Sequence, residues 1–260
     1  MKGFSNFVLI GTGNLATNLA RRIRETGGNI LQVYGKSEKH TETLARITQS
    51  EAVKHINDIT EEADLYILCI PDSALMDIST VLRFNNKPVV HTSGSVSLDA
   101  ISAVSSKTGV LYLLQTFSKS RQVDFQGIPV FVESTDEALL QKLQLLGNEL
   151  TGLSIPLNSG QRLKLHLAAV FANNFTNFMI TQAFDLMKSE DFPVSYLFPI
   201  LMETVKKSIE TDPYASQTGP ARRGDHEVIL NHLELLRTDA VKYGIYEHIS
   251  QTILERYREK

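Results

Sequence analysis

Tryptophan is absent from the 260 residues, and Cys69 is the only cysteine. A single thiol rules out an intrachain disulfide framework and the small secreted scaffolds that depend on one. It fits a reducing compartment, so a cytoplasmic location is expected. Cys69 stands inside the apolar run Leu65–Ile70, where packing is the expected role rather than reactivity. No uncharged apolar stretch approaches membrane-spanning length, which argues against a helical span. The first apolar run, Phe7–Ile10, is too short to serve as the core of a signal peptide. Excess charge is missing as well. A net charge of -3 gives no reason to expect nucleic acid or an anionic membrane as partner. There is no internal repeat and no low-complexity tract. What is present is 42% hydrophobic and 21% charged residues, enough to build an ordinary globular core.

The chain is organised around its opening stretch. Phe7-Val8-Leu9-Ile10 reads as a short buried strand, and Gly11-x-Gly13-x-x-Ala16 follows at once. Leu15, Ala16, Leu19, Ala20 and Ile23 then recur at helical spacing. Strand, glycine turn and helix in succession is the context that makes this motif a dinucleotide-binding fingerprint. Gly11 allows the tight turn, Gly13 leaves room for a pyrophosphate, and Ala16 lets the helix pack closely on the strand. The helix aims its free N–H groups at the phosphates. Gly11, Thr12, Gly13, Asn14, Leu15 and Ala16 are therefore expected to hold a coenzyme.

The helix should end at Gly27-Gly28, and Ile30–Tyr34 reads as the second strand. An Asp or Glu at the tip of that strand would bind both ribose hydroxyls and select NAD. The sequence has Tyr34-Gly35-Lys36-Ser37 instead. Lys36 and Ser37 suit a 2′-phosphate, so NADP(H) is expected, with Glu38 the nearest contrary charge. A helix over Glu38–Gln49 and a short strand over Ala52–His55 follow. Leu65–Ile70 is a continuous apolar strand of the kind buried on both faces. Ile70, Pro71 and Asp72 follow at its carboxyl end, where such sheets bind ligands. Pro71 also stops the strand, and Asp72 or Ser73 caps a helix starting near Leu75. Pro88–His91 is the next strand, leading into Thr92-Ser93-Gly94-Ser95. His91, Ser93 and Gly94 are expected either to wall the substrate or to form a turn before a helix at Leu98. Val110–Phe117 and Ile128–Glu133 read as further strands. A helix over Asp136–Leu150 and a strand over Leu153–Pro156 close the unit. The alternation predicts an α/β, doubly wound, mostly parallel sheet over residues 1–157, with a mixed edge allowed.

Strand signals then vanish, and residues 158–260 read as an all-α C-terminal domain. Gln161–Lys188 has no proline or glycine and is apolar nearly all round, which predicts burial on most sides. Arg162, His166, Asn173 and Asn177 fall on one stripe at about 100° per residue. Lys164 points away from that stripe. Helices are expected from Pro193 to Thr211, from Asp225 through Leu236, and over Tyr246–Arg258. Between them, Ser216–Asp225 is a loop rich in turn formers. Its adjacent Arg222 and Arg223, set between glycines, suit the clamping of a carboxylate or phosphate.

Together the GTGNLA turn, HTSG ending at Gly94, the KLHLAAVFANN helix and TGPARRGD at Thr218–Asp225 resemble a family of NADP-dependent oxidoreductases. That family joins a Rossmann-like N-terminal domain to a helical C-terminal domain of unknown function. More distantly the layout is similar to pyrroline-5-carboxylate reductases, deazaflavin-dependent NADP oxidoreductases and 3-hydroxyacid dehydrogenases. The resemblance implies hydride transfer between a nicotinamide and a small carbonyl, imine or alcohol. It also implies a homodimer built through the helical domain. The 3-hydroxyacid dehydrogenases carry a lysine and, one turn later, an asparagine on the first long helix. Here Lys164 matches the lysine, but Ala168 takes the asparagine position. His166, with Asn173 orienting, is the expected substitute as proton donor. Arg222 and Arg223 suggest an acidic small-molecule substrate, or a subunit contact. The alternative to an enzyme is a non-catalytic NADP(H) sensor. No metal site is expected.

Overall fold

The computed structural model describes residues 3–258. The chain divides into two compact units, Met1–Asn174 and Phe175–Lys260. The first holds eight strands: β1 (Asn6–Ile10), β2 (Asn29–Tyr34), β3 (Glu51–Val53), β4 (Leu65–Leu68), β5 (Pro88–His91), β6 (Lys107–Leu113), β7 (Val130–Ser134) and β8 (Ser154–Pro156). Its helices are α1 (Asn14–Glu25), α2 (Glu38–Thr48), α3 (Asp72–Val81), α4 (Glu137–Thr151) and α5 (Ser159–Ala169). The sheet order is β3-β2-β1-β4-β5-β6-β7-β8. All neighbouring strands are parallel except β6 and β7. This is the doubly wound sheet expected, with a mixed edge.

Strand parity explains the unbroken apolar runs. Phe7 and Leu9 face one side, where Leu19 and Ile23 of α1 and Leu139 and Leu143 of α4 cover them. Val8 and Ile10 face the other, against Leu75 and Ile78 of α3. A strand covered on both sides needs apolar residues at both parities, and all four residues of β4 are buried. Helix ends follow local chemistry. Asp136 caps α4 by accepting from the Leu139 N–H, and Gly152 closes it in the left-handed region.

Several boundaries differ from expectation. The strand expected over Val110–Phe117 ends at Leu113. The Gln115 N–H bonds the Leu113 carbonyl and reverses the chain, and Phe117 packs on Phe125 instead of joining the sheet. The helix expected at Leu98 is one 3-10 turn, Leu98–Ile101, capped by Ser97.

The long helix is real but interrupted. After α5 comes a π-helical turn, Val170–Phe175, and then α6 (Thr176–Ser189) in the second unit. The 100° per residue used to draw the four-residue polar stripe does not apply within the wider turn. Nor is this helix enveloped: Leu163, Leu167 and Phe178 are all about half exposed. The second unit continues with α7 (Phe198–Glu210), α8 (Pro213–Ser216), α9 (Pro220–Arg223), α10 (His226–Leu235) and α11 (Ala240–Tyr257). The last helix starts six residues before the expected Tyr246, because Asp239 caps it. Among the described residues of this unit only Ala221, Ile229 and Ser250 are buried.

Candidate coenzyme groove and catalytic pair

The strand order reverses between β1 and β4, which opens a crevice at the strands' carboxyl ends. A cleft of about 650 Å³ lies there, lined by Gly11, Thr12, Gly13, Lys36, Ser37, Ile70 and Pro71 among others. The two glycines serve different ends. Gly11 has φ +121°, and a Cβ on it would sit 2.1 Å from the Cys69 carbonyl oxygen, so both conformation and space require glycine. A Cβ on Gly13 would meet nothing within 4 Å. The protein itself does not use that space, which lies where a phosphate would rest on the α1 N-terminus.

Ser37 caps α2 by accepting from the His40 N–H at 3.4 Å. Glu38, the contrary charge near Lys36, is 2.8 Å from the Lys54 ammonium, whose hydrogen bond and charge hold its carboxyl below the usual range. Lys36 enters no ion pair among the described residues. A cationic, carboxylate-free tip of β2 fits a 2′-phosphate. Cys69 lines the groove, and burial pushes its thiol up to about 12, so it stays protonated and inert.

Four residues expected at the coenzyme lie outside the groove lining. Ala16 is on the fully buried face of α1, Leu15 packs on the same core, and the Asn14 carbonyl accepts from Asn18. The Asp72 carboxylate accepts from the Ser95 hydroxyl, joining the loops after β4 and β5. Sequence reading missed Tyr34, His40, Asp77 and Lys119, which also line the groove. Lys119 arrives from a segment with no motif of its own.

A second cleft of the same unit, about 410 Å³, is lined by Tyr112, Gln115, Thr116, His166, Ala169 and Asn173 among others. Here the structure brings His166 and Asn173 together, the latter on the π-helical turn. The His166 Nδ1 lies 3.1 Å from the Tyr112 hydroxyl, with the two rings edge to face. Burial raises the Tyr112 pKa, so the phenol keeps its proton. In the tautomer with Nδ1 bare, that phenol donates to Nδ1 and leaves Nε2 as the N–H. Gly94 backs the pair: a Cβ there would stand 2.6 Å from His166 Nδ1 and 2.7 Å from Tyr112 Cζ. Tyr112 was not legible beforehand, being one aromatic in an apolar strand.

His91 and Ser93 line neither cleft. Ser93 is a turn residue whose hydroxyl accepts from the Ser95 and Val96 N–H groups. His91 is fully buried, and its Nδ1 accepts from the Ser93 N–H at 3.2 Å. Burial, then the Arg162 guanidinium, hold its pKa down to about 4, with the Ser97 main chain and Asp72 acting weakly the other way. His91 is therefore neutral when folded, while an unfolded histidine protonates near pH 6.5. Below that pH the unfolded state binds the extra proton, so stability falls from pH 6.5 to about 4. The loss totals about 3 kcal/mol, and stability is flat in this term above pH 7. Urea titrations at pH 7, 5.5 and 4.5 should show the loss, and His91→Gln should flatten it. An equal slope in that variant would assign it elsewhere.

Arg162, with 1% exposure, also leaves the site. Its guanidinium pairs with Glu133 and bonds the Val96 carbonyl and Ser159 hydroxyl. Its partners are protein groups rather than a ligand. Lys164 is exposed and outside the cleft, so a lysine–asparagine pair is not assembled.

In the second unit, Arg222, Arg223, His226 and Arg258 line a cleft of about 790 Å³ with Thr218, Gly219 and Gly224. Arg222 stacks over Tyr257 at 4.7 Å, which fixes the guanidinium plane and leaves its edge for an anion. Arg223 reaches Asp225 only at 4.0 Å. Among the described residues no helix is long and apolar enough to cross a membrane. No group of three or more metal-ligating side chains is assembled among them either.

Residues 6–93 match the family described as NADP oxidoreductase coenzyme F420-dependent. Residues 128–253 match a domain of unknown function, DUF2520. No curated protein matches in sequence. A candidate NADP oxidoreductase from Bacteroides fragilis is 37% identical over 98% of this chain and 100% of its own, with a TM-score of 0.93. An imine reductase from Myxococcus stipitatus, solved with NADP+, shares the fold at 16% identity, TM-score 0.66, over 96% of this chain and 93% of its own. A 1-pyrroline-5-carboxylate reductase from Streptococcus pyogenes does so at 14% identity, TM-score 0.63, over 97% and 99%. The chain thus belongs to the NADP oxidoreductases that carry a Rossmann-like coenzyme domain followed by the DUF2520 domain.

Proposed function

We propose that the chain binds NADP(H) in the groove beside Gly13 and transfers a hydride to or from a small carbonyl, imine or hydroxy compound. One observation carries this reading. A groove at the switch point and the His166–Tyr112 pair lie in one unit, at the carboxyl ends of the parallel strands of one sheet. Gly11, Thr12 and Gly13 would seat the diphosphate, Lys36 and Ser37 the 2′-phosphate, and Ile70 and Pro71 the nicotinamide ribose. When bound, the coenzyme supplies or accepts the hydride. His166 gives or takes the matching proton, Tyr112 holds its ring, and Asn173 orients the reacting group. Structures of a reductase of imines and a reductase of a cyclic imine acid share this fold, which favours a C=N or C=O substrate.

Arg222 and Arg223 would hold an acidic small molecule in the cleft of the second unit. Two copies are proposed to pair through the helical unit, whose apolar side chains are mostly uncovered. The free thiol fits the reducing cytoplasm.

Calorimetry tests the coenzyme assignment. NADPH should bind at least tenfold more tightly than NADH, and Lys36→Met should erase most of that difference. Equal or tighter binding of NADH by the unaltered protein removes it. A second reading, a coenzyme sensor without turnover, draws on Ala168 in place of an asparagine and on the exposed Lys164. Following NADPH absorbance against carbonyl and imine libraries separates the two. Binding without oxidation across the whole set favours the sensor.

A further inference from the structure

We propose that Lys119 is a ligand for the coenzyme diphosphate, delivered by a strap outside the glycine turn. The inference rests on the reading of the groove as a coenzyme site. Lys119 lines that groove together with Gly11 and Gly13. It enters no ion pair among the described residues.

The strap is residues 114–129, which join the antiparallel strands β6 and β7. It is tied along α1. The side chain of Asn18, 2% exposed, donates to the Ser118 carbonyl at 3.0 Å and to the Asn14 carbonyl at 2.9 Å. One buried amide therefore links the residue before Lys119 to the first residue of α1. Further along, Arg22 of α1 stacks over Phe125, itself packed on Phe117. The Ser118 and Ser120 hydroxyls bond each other at 2.8 Å, closing a tight turn with Lys119 at its tip.

The placement separates two lysines by task. Lys36 stands at the tip of β2, where a 2′-phosphate would lie. Lys119 is held beside the N-terminus of α1, where the diphosphate would lie. A lysine there adds a point charge to the backbone N–H groups. Asn18 is then a positioning residue, buried because it sets the height of the strap.

The test uses the full chain and two probes, NADP+ and adenosine 2′-monophosphate, which carries the 2′-phosphate but no diphosphate. By calorimetry, Lys119→Met should weaken NADP+ at least tenfold and leave the monophosphate within twofold. Lys119→Arg should recover most of the loss. Lys36→Met should weaken both probes. An unchanged NADP+ affinity in Lys119→Met, or losses that are equal for the two probes, overturns the assignment. So does a loss confined to the monophosphate. If the unaltered protein binds neither probe, the groove reading itself falls and takes this inference with it. Lys119 is exposed, so its replacement leaves folding intact.

Discussion

Alanine in place of His166 is expected to slow turnover by roughly 10²–10⁴-fold while leaving the NADPH dissociation constant within about twofold. The imidazole lies in a cleft separate from the coenzyme groove lining, so binding should not register the change. Turnover should, because a hydride arriving at a C=N or C=O carbon leaves charge on the heteroatom that only a proton relieves. His166 is the titratable side chain of that cleft best placed to supply it, beside the neutral phenol of Tyr112. Tyr112→Phe should cost less, about tenfold, since it removes one hydrogen bond and leaves the proton carrier in place. Stopped-flow oxidation of NADPH with a substrate found by screening reads both variants. Equal activity of His166→Ala and the unaltered protein would strike His166 from the mechanism. A Tyr112→Phe loss as deep as the His166 loss would make the phenol the carrier instead.

How much of this was legible in the sequence depends on the range of the interactions. The glycine turn is local: Gly11, Gly13 and the α1 stripe lie within one strand-turn-helix, so residue order alone placed the groove. Parity also showed through, since a strand covered on both faces must be apolar throughout, as β4 is. What stayed hidden was long-range pairing of polar residues. Arg162 read as one member of a polar stripe in need of partners, and those partners, Glu133 and the Val96 carbonyl, belong to other segments far away in sequence. His91 and Ser93 read either as a wall of the site or as a turn, and the turn after β5 is what folds over His91. Tyr112 and Lys119 reach their clefts through sheet order and a strap, neither of which has a spacing signature. The π-helical turn departs from 3.6 residues per turn, a local irregularity that no spacing in the sequence announces. The expected envelope around α5 and α6 failed for another reason. Periodicity shows that a face is apolar and does not say which chain covers it.

That uncovered face sets the second large effect: the protein should run at about twice its chain mass of 29.0 kDa, and its melting temperature should rise with concentration. On α7, Phe198, Met202, Val205 and Ile209 recur at the four-three-four spacing of a helix seam. They are 50%, 69%, 51% and 80% exposed. A soluble helix normally turns such a stripe to its own core. Here Leu230 and Leu235 of α10 and Val241 of α11 are likewise open, and the unit buries almost no side chain of its own. Six helices with so little internal core do not hold together alone, because ordering each residue costs about 1–2 kcal/mol of backbone entropy. In the proposed pairing, burial against a second copy would supply the missing term, and a symmetric pair would let one stripe serve both partners. The double variant Met202→Glu, Ile209→Glu places two charges on that seam. It should give a monomer by sedimentation, with lost helical signal and no concentration dependence in its melting. The parallel sheet of the first unit has its own core and should survive the change. An unaltered protein that is monomeric at tens of micromolar, with one sharp concentration-independent transition, would refute the pairing and require the helical unit to be stable with its apolar stripe in water.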